Sequence, residues 1–413
     1  MSDVVRSIAM VSMHTSPAAP AGSGDAGGMN VAVLETALAM AARGVEVDLI
    51  TRATGTPGSR LLAPGVTLHE LAAGPAGPMR KDELMTVTDE FGEGIAALAD
   101  RIRPRYDAIH AHYWLSGIAA LPVTLELGIP LVQSFHTLAA MKNAALAPGD
   151  RPEPEQRLRV ESYLASQADA VIAGSSAEVA ALIDRARTPA DRVWVIPPGV
   201  DTGLFNPARR QHAASVRRLL GLDGGRPLVV MAGRVQPLKG QDLAVRAIAA
   251  MPEPRPALVV VGEAPAGDED YAAGLGRLAA SLGVAADVHF VGRADRESLA
   301  NLLAAAAVTL VPSRSETFGL IALESAASGT PVIGARSTGL VESVADGRSG
   351  LLLDSRDPAD WAAAIAGLVG NPQRAIELSR SAREHAERFT WATTATSLIG
   401  LYASLAAIRA GRR

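Results

Sequence analysis

The sequence predicts a doubly wound α/β fold built twice, as two parallel-sheet domains in tandem. Three observations predict it. Short, continuously apolar runs alternate with helix-like stretches, the pattern of parallel strands covered on both faces. The alternation stops at a Pro/Gly boundary near residue 200 and then restarts. A chain of 413 residues exceeds one ordinary domain, and its 48% hydrophobic content suffices for two cores.

The elements follow in order. Ser7-Ile8-Ala9-Met10-Val11-Ser12-Met13 reads as a buried first strand, and a glycine-rich loop, Gly24-Asp25-Ala26-Gly27-Gly28-Met29-Asn30, follows it. Val31, Leu34, Leu38 and Ala41 are spaced as one face of a helix that Gly44 ends. Further strands are expected at 45–51, 108–112, 130–135, 170–173 and 193–196. Pro197-Pro198-Gly199-Val200-Asp201 marks the boundary, and a polar connector runs to Asn206-Pro207. The second half places strands at 228–232, 257–261, 288–291, 308–311 and 331–333. Residues 389–410 read as a terminal helix with Trp391, Leu398, Leu401 and Leu405 on one face. The expected domains are 1–205 and 206–388, with 389–413 as the closing helix. Residues 60–80 and 148–154 read as mobile connections bordering the cleft.

Composition excludes several classes. A net charge of −4 argues against a nucleic-acid or membrane-surface partner. With no cysteine there is no disulfide, thiolate nucleophile or zinc–cysteine site. The N-terminus does not read as a signal peptide, and the apolar run at 302–312 is too short to cross a bilayer. A cytoplasmic protein is the expectation. Only three of the 39 basic residues are lysine: Lys81, Lys142 and Lys239. Against that arginine bias, a retained lysine suggests a need for a compact, rotatable ammonium. The reading assigns Lys142 no role.

Three constellations carry chemistry. A glycine-rich turn between strand and helix brings bare backbone and helix-terminal amides to an anion. Gly233-Arg234-Val235-Gln236-Pro237-Leu238-Lys239-Gly240 follows a strand, so Arg234 and Lys239 sit at the sheet edge where such folds bind ligands. The two cations suit a diphosphate. Pro312-Ser313-Arg314-Ser315-Glu316-Thr317-Phe318-Gly319 also follows a strand, with Glu324 inside the next helix. Paired carboxylates there can accept hydrogen bonds from sugar or ribose hydroxyls.

The paired glutamates, the Arg…Lys pair and the two-domain plan resemble the retaining glycosyltransferases of family 4, over essentially the whole chain. The resemblance implies a GT-B fold, with two Rossmann-like domains facing across a cleft. It also implies that Arg234 and Lys239 hold the donor diphosphate, Glu324 the ribose, and Glu316 the transferred sugar. His14-Thr15-Ser16-Pro17, the 24–30 loop, His112-Tyr113-Trp114-Leu115-Ser116-Gly117 and His136-Thr137-Leu138-Ala139-Ala140 narrow it further. They are similar to the branch that moves N-acetylglucosamine from UDP to 1D-myo-inositol 3-phosphate, with retention, in mycothiol biosynthesis. That branch implies an acceptor phosphate on Lys81, Tyr113, Thr137 and Arg157. His14, Asp25 and Asn30 would face the inositol hydroxyls, Gly28 would approach the donor, and His136 would lie near the donor sugar. A nucleotide-sugar donor and a small phosphorylated acceptor are thus the expected partners, with a homodimer as the assembly the resemblance allows.

Two departures concern the donor side. The family branch tends to have Pro-Pro-Gln where this chain reads Phe290-Val291-Gly292-Arg293, beside the nucleotide base. Arg293 is accordingly a candidate donor contact. A stretch associated with Mg2+ in the branch reads Leu303-Ala304-Ala305-Ala306-Ala307 here, leaving only backbone carbonyls. No cofactor is therefore expected with firmness, and the metal ligands stay unknown. A paralogue using another UDP- or GDP-sugar, or a different cyclitol or anionic acceptor, stands as the alternative. A nucleotide-sugar-binding regulator without turnover, disfavoured by Glu316 and the acceptor motifs, is a third reading.

Overall fold

Strands that are apolar along their whole length need cover on both faces, and here helices supply it. The computed structural model describes residues 5–20, 22, 25–147, 150–222, 225–265 and 267–411. The first sheet contains β1 (Ser7–Val11), β2 (Glu46–Arg52), β3 (Gly58–Ala63), β4 (Val66–Leu71), β5 (Ala108–His112), β6 (Leu131–Ser134), β7 (Ala170–Ala173) and β8 (Val193–Val195). Its order is β3-β4-β2-β1-β5-β6-β7-β8, parallel except for β3. The second sheet contains β9 (Leu228–Ala232), β10 (Ala257–Val261), β11 (Val288–Phe290), β12 (Val308–Val311), β13 (Val332–Ala335) and β14 (Gly350–Leu353), all parallel, in the order β11-β10-β9-β12-β13-β14. The strands stay parallel, but the order in which the chain lays them down reverses between β1 and β5 in one sheet and between β9 and β12 in the other. Those reversal points open a crevice at the carboxyl ends of the strands.

Four expectations need correction. Residues 60–80 are not simply a connection: they contain most of the β3–β4 hairpin, with β4 parallel to β2. Polar residues such as Arg60 and His69 hid it, because only one face of this sheet edge is buried. β14 had no expected counterpart. β8 is an edge strand whose Trp194 and Val195 are exposed, not a strand covered on both faces. In the Gly28–Ala41 helix the deepest positions are Val33, Ala37 and Met40, whereas Leu34, Leu38 and Ala41 are half-buried. This helix carries apolar residues on more than one face because it packs on the first sheet and also under the terminal helix.

That terminal helix, Trp391–Gly411, crosses back to the first sheet. Ala395, Leu398, Leu401 and Tyr402 are buried in the same cluster as Val33, Met40 and Ile196. The Tyr402 hydroxyl lies 2.7 Å from His110 Nδ1. Pro372–Arg409 is long and apolar enough by composition to cross a membrane. The helix is broken at residues 387–390, however, and its second part buries these apolar side chains in the first domain's core.

The outgoing linker meets this helix closely. Val200 N–H donates to Phe389 O at 3.0 Å. A Cβ at Gly199 would lie 2.2 Å from Trp391 N. Gly199→Ala should therefore displace the start of the helix and destabilise the protein by about 1–3 kcal/mol. Urea denaturation checks this, and an unchanged midpoint would mean that the linker yields freely.

Candidate active site

The crevice is a cleft of about 1320 Å³ lined by loops from both sheets. His14 follows β1, Tyr113 follows β5, His136 follows β6 and Gly174 follows β7. From the second sheet, Arg234 follows β9, Gly262 follows β10 and Ser313 follows β12. Among the expected site residues, His14, Asp25, Gly28, Lys81, Tyr113, His136, Thr137, Arg157, Arg234, Lys239, Arg293, Glu316 and Glu324 all line it.

Asn30 does not, and this corrects the expectation. Its Oδ1 accepts the Gly27 N–H at 2.9 Å, and its Nδ2 donates to Thr15 Oγ1 at 3.0 Å and Ser16 O at 2.7 Å. Buried with its amide spoken for, Asn30 holds the loop to the His14 segment rather than facing a ligand. Gly24, also part of the expected loop, lies outside the described residues.

The first-domain wall is cationic but compensated. Lys81 Nζ donates to Asp25 Oδ1 at 2.7 Å. Burial lowers the Lys81 ammonium, against the opposing pull of Asp25. Arg157 sits on the Glu155–Gln167 helix and is buried, not the surface arginine its residue type suggests. Its Nε donates to Glu161 Oε1 at 2.6 Å, its Nη1 reaches Glu153 Oε2 at 2.9 Å, and its Nη2 donates to Thr137 O and Oγ1 at 2.8 and 3.1 Å. Its guanidinium carbon lies 4.9 Å from the Tyr113 ring centre, a cation–π contact. On that ring's other neighbour, His14 sits 4.4 Å away between centroids. Tyr113 adopts φ +73°, so the turn between β5 and the Trp114–Leu127 helix is strained at the site.

Behind this wall runs a line of neutral histidines. His136 Nε2 lies 2.9 Å from His112 Nδ1, and the His112 ring stacks 4.2 Å from His110. Burial pushes His136 down to about 4 and His110 to about 3; the neighbouring His136 adds to the shift at His110. Burial first, and then Lys81, His136, Arg157 and Arg234, hold His14 well below its ordinary value. These rings are hydrogen-bonding groups, not cations. With Nε2 of His136 taken, Nδ1 is the ring atom left for a ligand.

The second-domain wall is set by tight turns. Lys239 ends a helical turn, Pro237–Lys239, and Gly240 follows it at φ +77°. A Cβ at Gly240 would lie 2.7 Å from Pro312 O, so glycine lets this turn pack on the loop that carries Glu316. Lys239 Nζ donates to Glu316 Oε1 at 2.5 Å, and Ser313 Oγ donates to the same oxygen at 2.8 Å. Glu324 lies inside the Leu320–Ala327 helix, 4.0 Å from Arg296 Nη1. Arg296 also reaches Glu35 of the first domain at 3.2 Å. Thr317 Oγ1 donates to His136 O across the cleft. The two walls thus touch directly.

Sequence reasoning missed Glu153, Glu161, Arg296 and Thr317. Glu161, four residues after Arg157 on one helix, had a spacing signal. Glu153, four residues before Arg157, had the same spacing signal; Arg296 and Thr317 meet their partners only through the fold.

With this geometry in view, the comparisons fall into place. A profile described as glycosyl transferases group 1 matches residues 214–388, and one described as a glycosyl transferase 4-like domain matches 27–199. A D-inositol 3-phosphate glycosyltransferase of Acidothermus cellulolyticus is 44% identical over 406 residues, covering 96% of this chain and 90% of that one. The chain belongs to this glycosyltransferase family. A protein of the same description from Stackebrandtia nassauensis is also 44% identical, over 96% of this chain and 91% of its own. Among solved structures, sucrose-phosphate synthase from Thermosynechococcus elongatus superposes with a TM-score of 0.89 at 32% identity, covering 98% and 100% of the two chains. Anabaena HepE, solved with UDP and glucose, gives 0.77 at 23% identity, covering 96% and 99%. The fold is GT-B.

The residues of the glycosyltransferase do not fit the Mg2+ of the resemblance. The carbonyl of Leu303 accepts from Thr330 Oγ1 at 2.6 Å, and that of Ala304 accepts from the cationic Arg210 at 3.2 Å. Among the described residues no group of three or more His, Asp or Glu is placed to hold a metal.

Glu324 supplies a pH test. Burial pushes it up to about 7, Arg296 pulls it back, and Glu35 and Asp201 push with the burial. In the unfolded chain the same carboxyl titrates near 4.5. Between these values the folded glycosyltransferase binds the extra proton, so stability falls as pH rises through that window. Glu324→Gln should exceed wild type in stability at pH 8 by on the order of 2 kcal/mol more than at pH 4.5. Denaturation at the two pH values decides it; a pH-independent difference would refute the shift.

Proposed function

We propose that this glycosyltransferase transfers N-acetylglucosamine from UDP-N-acetylglucosamine to 1D-myo-inositol 3-phosphate, with retention of anomeric configuration. The observation that carries the reading is the convergence of Lys81, Tyr113, Thr137 and Arg157 on one wall of the cleft, facing Arg234 and Lys239 on the other. The first set suits a phosphate monoester, with charge-assisted donors and hydroxyls; the second suits a leaving diphosphate. The relatives are named for an inositol 3-phosphate acceptor, and HepE holds UDP in the same fold.

In this reading Glu324 meets the ribose, Glu316 and His136 the transferred sugar, Gly28 and Arg293 the donor, and His14 and Asp25 the cyclitol hydroxyls. The acceptor hydroxyl attacks C1 on the face from which the diphosphate leaves. The new C–O bond forms as the old one breaks, and the proton passes to a diphosphate oxygen. Arg234 and Lys239 stabilise the charge that develops there, and closed walls exclude the water that would hydrolyse the donor. His136, neutral at working pH, can donate to or accept from a sugar hydroxyl without adding charge.

Lys81→Ala should raise the acceptor KM about 10- to 100-fold, the value of a charged hydrogen bond, and leave UDP affinity unchanged. Lys81 is the better test than Arg157, whose removal would leave the buried Glu161 carboxylate without its cation. Unphosphorylated myo-inositol should be a poor acceptor; equal turnover with it would overturn the proposed acceptor. Arg234→Ala should lower kcat, because its partner gains charge only in the transition state. Product NMR reads the anomer: an α linkage agrees with retention, and a β linkage excludes it.

A further inference from the structure

Lys142, without a role so far, lines the cleft beside Arg157. Its Nζ donates to Glu153 Oε1 at 2.5 Å, while Glu153 Oε2 takes Arg157 Nη1 at 2.9 Å. A carboxylate with one oxygen on each of two cations makes the contacts that two oxygens of a phosphate monoester would make there. Burial alone would raise the Glu153 carboxyl, but Arg157 and Lys142 outweigh it and hold it below its ordinary value, so it stays an anion.

The backbone of Glu153 is pinned. Its N–H donates to Asn143 Oδ1 at 2.7 Å, its carbonyl accepts from Asn143 Nδ2 at 3.3 Å, and Pro152 and Pro154 flank it. The freedom at this residue therefore lies in side-chain torsions. Glu161 differs: more deeply buried, it accepts the Ala139 N–H at 2.8 Å as well as Arg157 Nε. It is the fixed support of the guanidinium, and Glu153 is the movable ligand.

Charge points the same way. Lys81, Lys142 and Arg157 meet Asp25, Glu153 and Glu161 on this wall. With Glu153 in place the formal charges cancel, which makes a poor host for a dianion. With Glu153 swung out, the wall carries a net positive charge, and Lys142 Nζ and Arg157 Nη1 are released together.

We propose that Lys142 is a further ligand of the acceptor's phosphate, and that Glu153 is a resident anion which the phosphate displaces from Lys142 and Arg157. The inference rests on the phosphorylated-acceptor reading above. It adds a source of selectivity: an uncharged cyclitol cannot replace the two charged contacts that Glu153 gives up, so it does not open the site.

Calorimetric titration of inorganic phosphate into wild type, Glu153→Gln and Lys142→Met tests this, alongside the KM for 1D-myo-inositol 3-phosphate. In Glu153→Gln, phosphate affinity should rise about fivefold or more and the acceptor KM should fall in step, since a charged competitor is gone. In Lys142→Met, phosphate affinity should fall about tenfold. UDP affinity, the control, should stay the same in both. Unchanged or weaker phosphate binding in Glu153→Gln overturns the proposal and makes Glu153 a brace for Arg157. Should that variant melt early, Glu153→Asp, too short to bridge both cations from a pinned backbone, must show the rise instead. A wild-type protein that ignores inositol 3-phosphate while the three proteins keep this order of phosphate affinity refutes the acceptor, not the displacement.

Discussion

Parallel strands buried on both faces leave a chain few places for polar chemistry other than the ends of its sheets. β1, β5, β7, β10 and β12 are buried along their whole length, so they are made mostly of apolar side chains, and an unpaired polar group on them is costly. The polar residues that do work for this family therefore collect where the strands stop. Because the strand order reverses near the centre of both parallel sheets, each offers one such place, and the two are opposed.

Collecting charges in a confined space has its own cost. Desolvation opposes the charged form of Lys81, Glu161, Glu178, Glu324 and the four cleft histidines. The protein meets it in two ways. Cations are matched locally, Lys81 with Asp25, Arg157 with Glu161 and Lys239 with Glu316. Histidines are kept neutral, and His110, His112 and His136 are bonded to one another or to hydroxyls, while His14 Nδ1 and His112 Nε2 are buried without a hydrogen-bond partner among the described residues. The result is a wall rich in donors but nearly neutral in sum, which a charged ligand must partly rearrange in order to bind.

Much of this was legible in the sequence. The continuous apolar runs located most strands, because a fully buried strand writes its burial into every residue. The turns at Arg234–Lys239 and Glu316 were legible because each follows such a run. Half-buried edges were not: β3 and β4 mix polar with apolar residues, β14 is a short Gly-Leu-Leu-Leu run buried at alternate positions, and β8 is apolar yet exposed. Asn30 shows a second limit. A motif residue can serve a site by holding the backbone of its loop, and residue type alone does not separate that from contact with a ligand. Arg157 shows a third. Its partners Glu153 and Glu161 lie four residues to either side, a local spacing, but its burial against Tyr113 and Thr137 depends on how the helix packs on the loops after β5 and β6.

The bond between Val200 and Phe389 bears on how the halves of the molecule can move. The chain passes between the domains twice, once outward near residue 200 and once back near residue 388. The two passages lie side by side, joined by that bond and by Thr394 Oγ1 on Pro197 O. Two strands of a tether fastened together behave as a door hinge rather than a ball joint: swinging about their shared line costs little, while twisting across it strains both. Any parting of the walls is thus confined by a few contacts at the spine of the cleft, whose residues Pro198, Trp391 and Thr394 also line its floor.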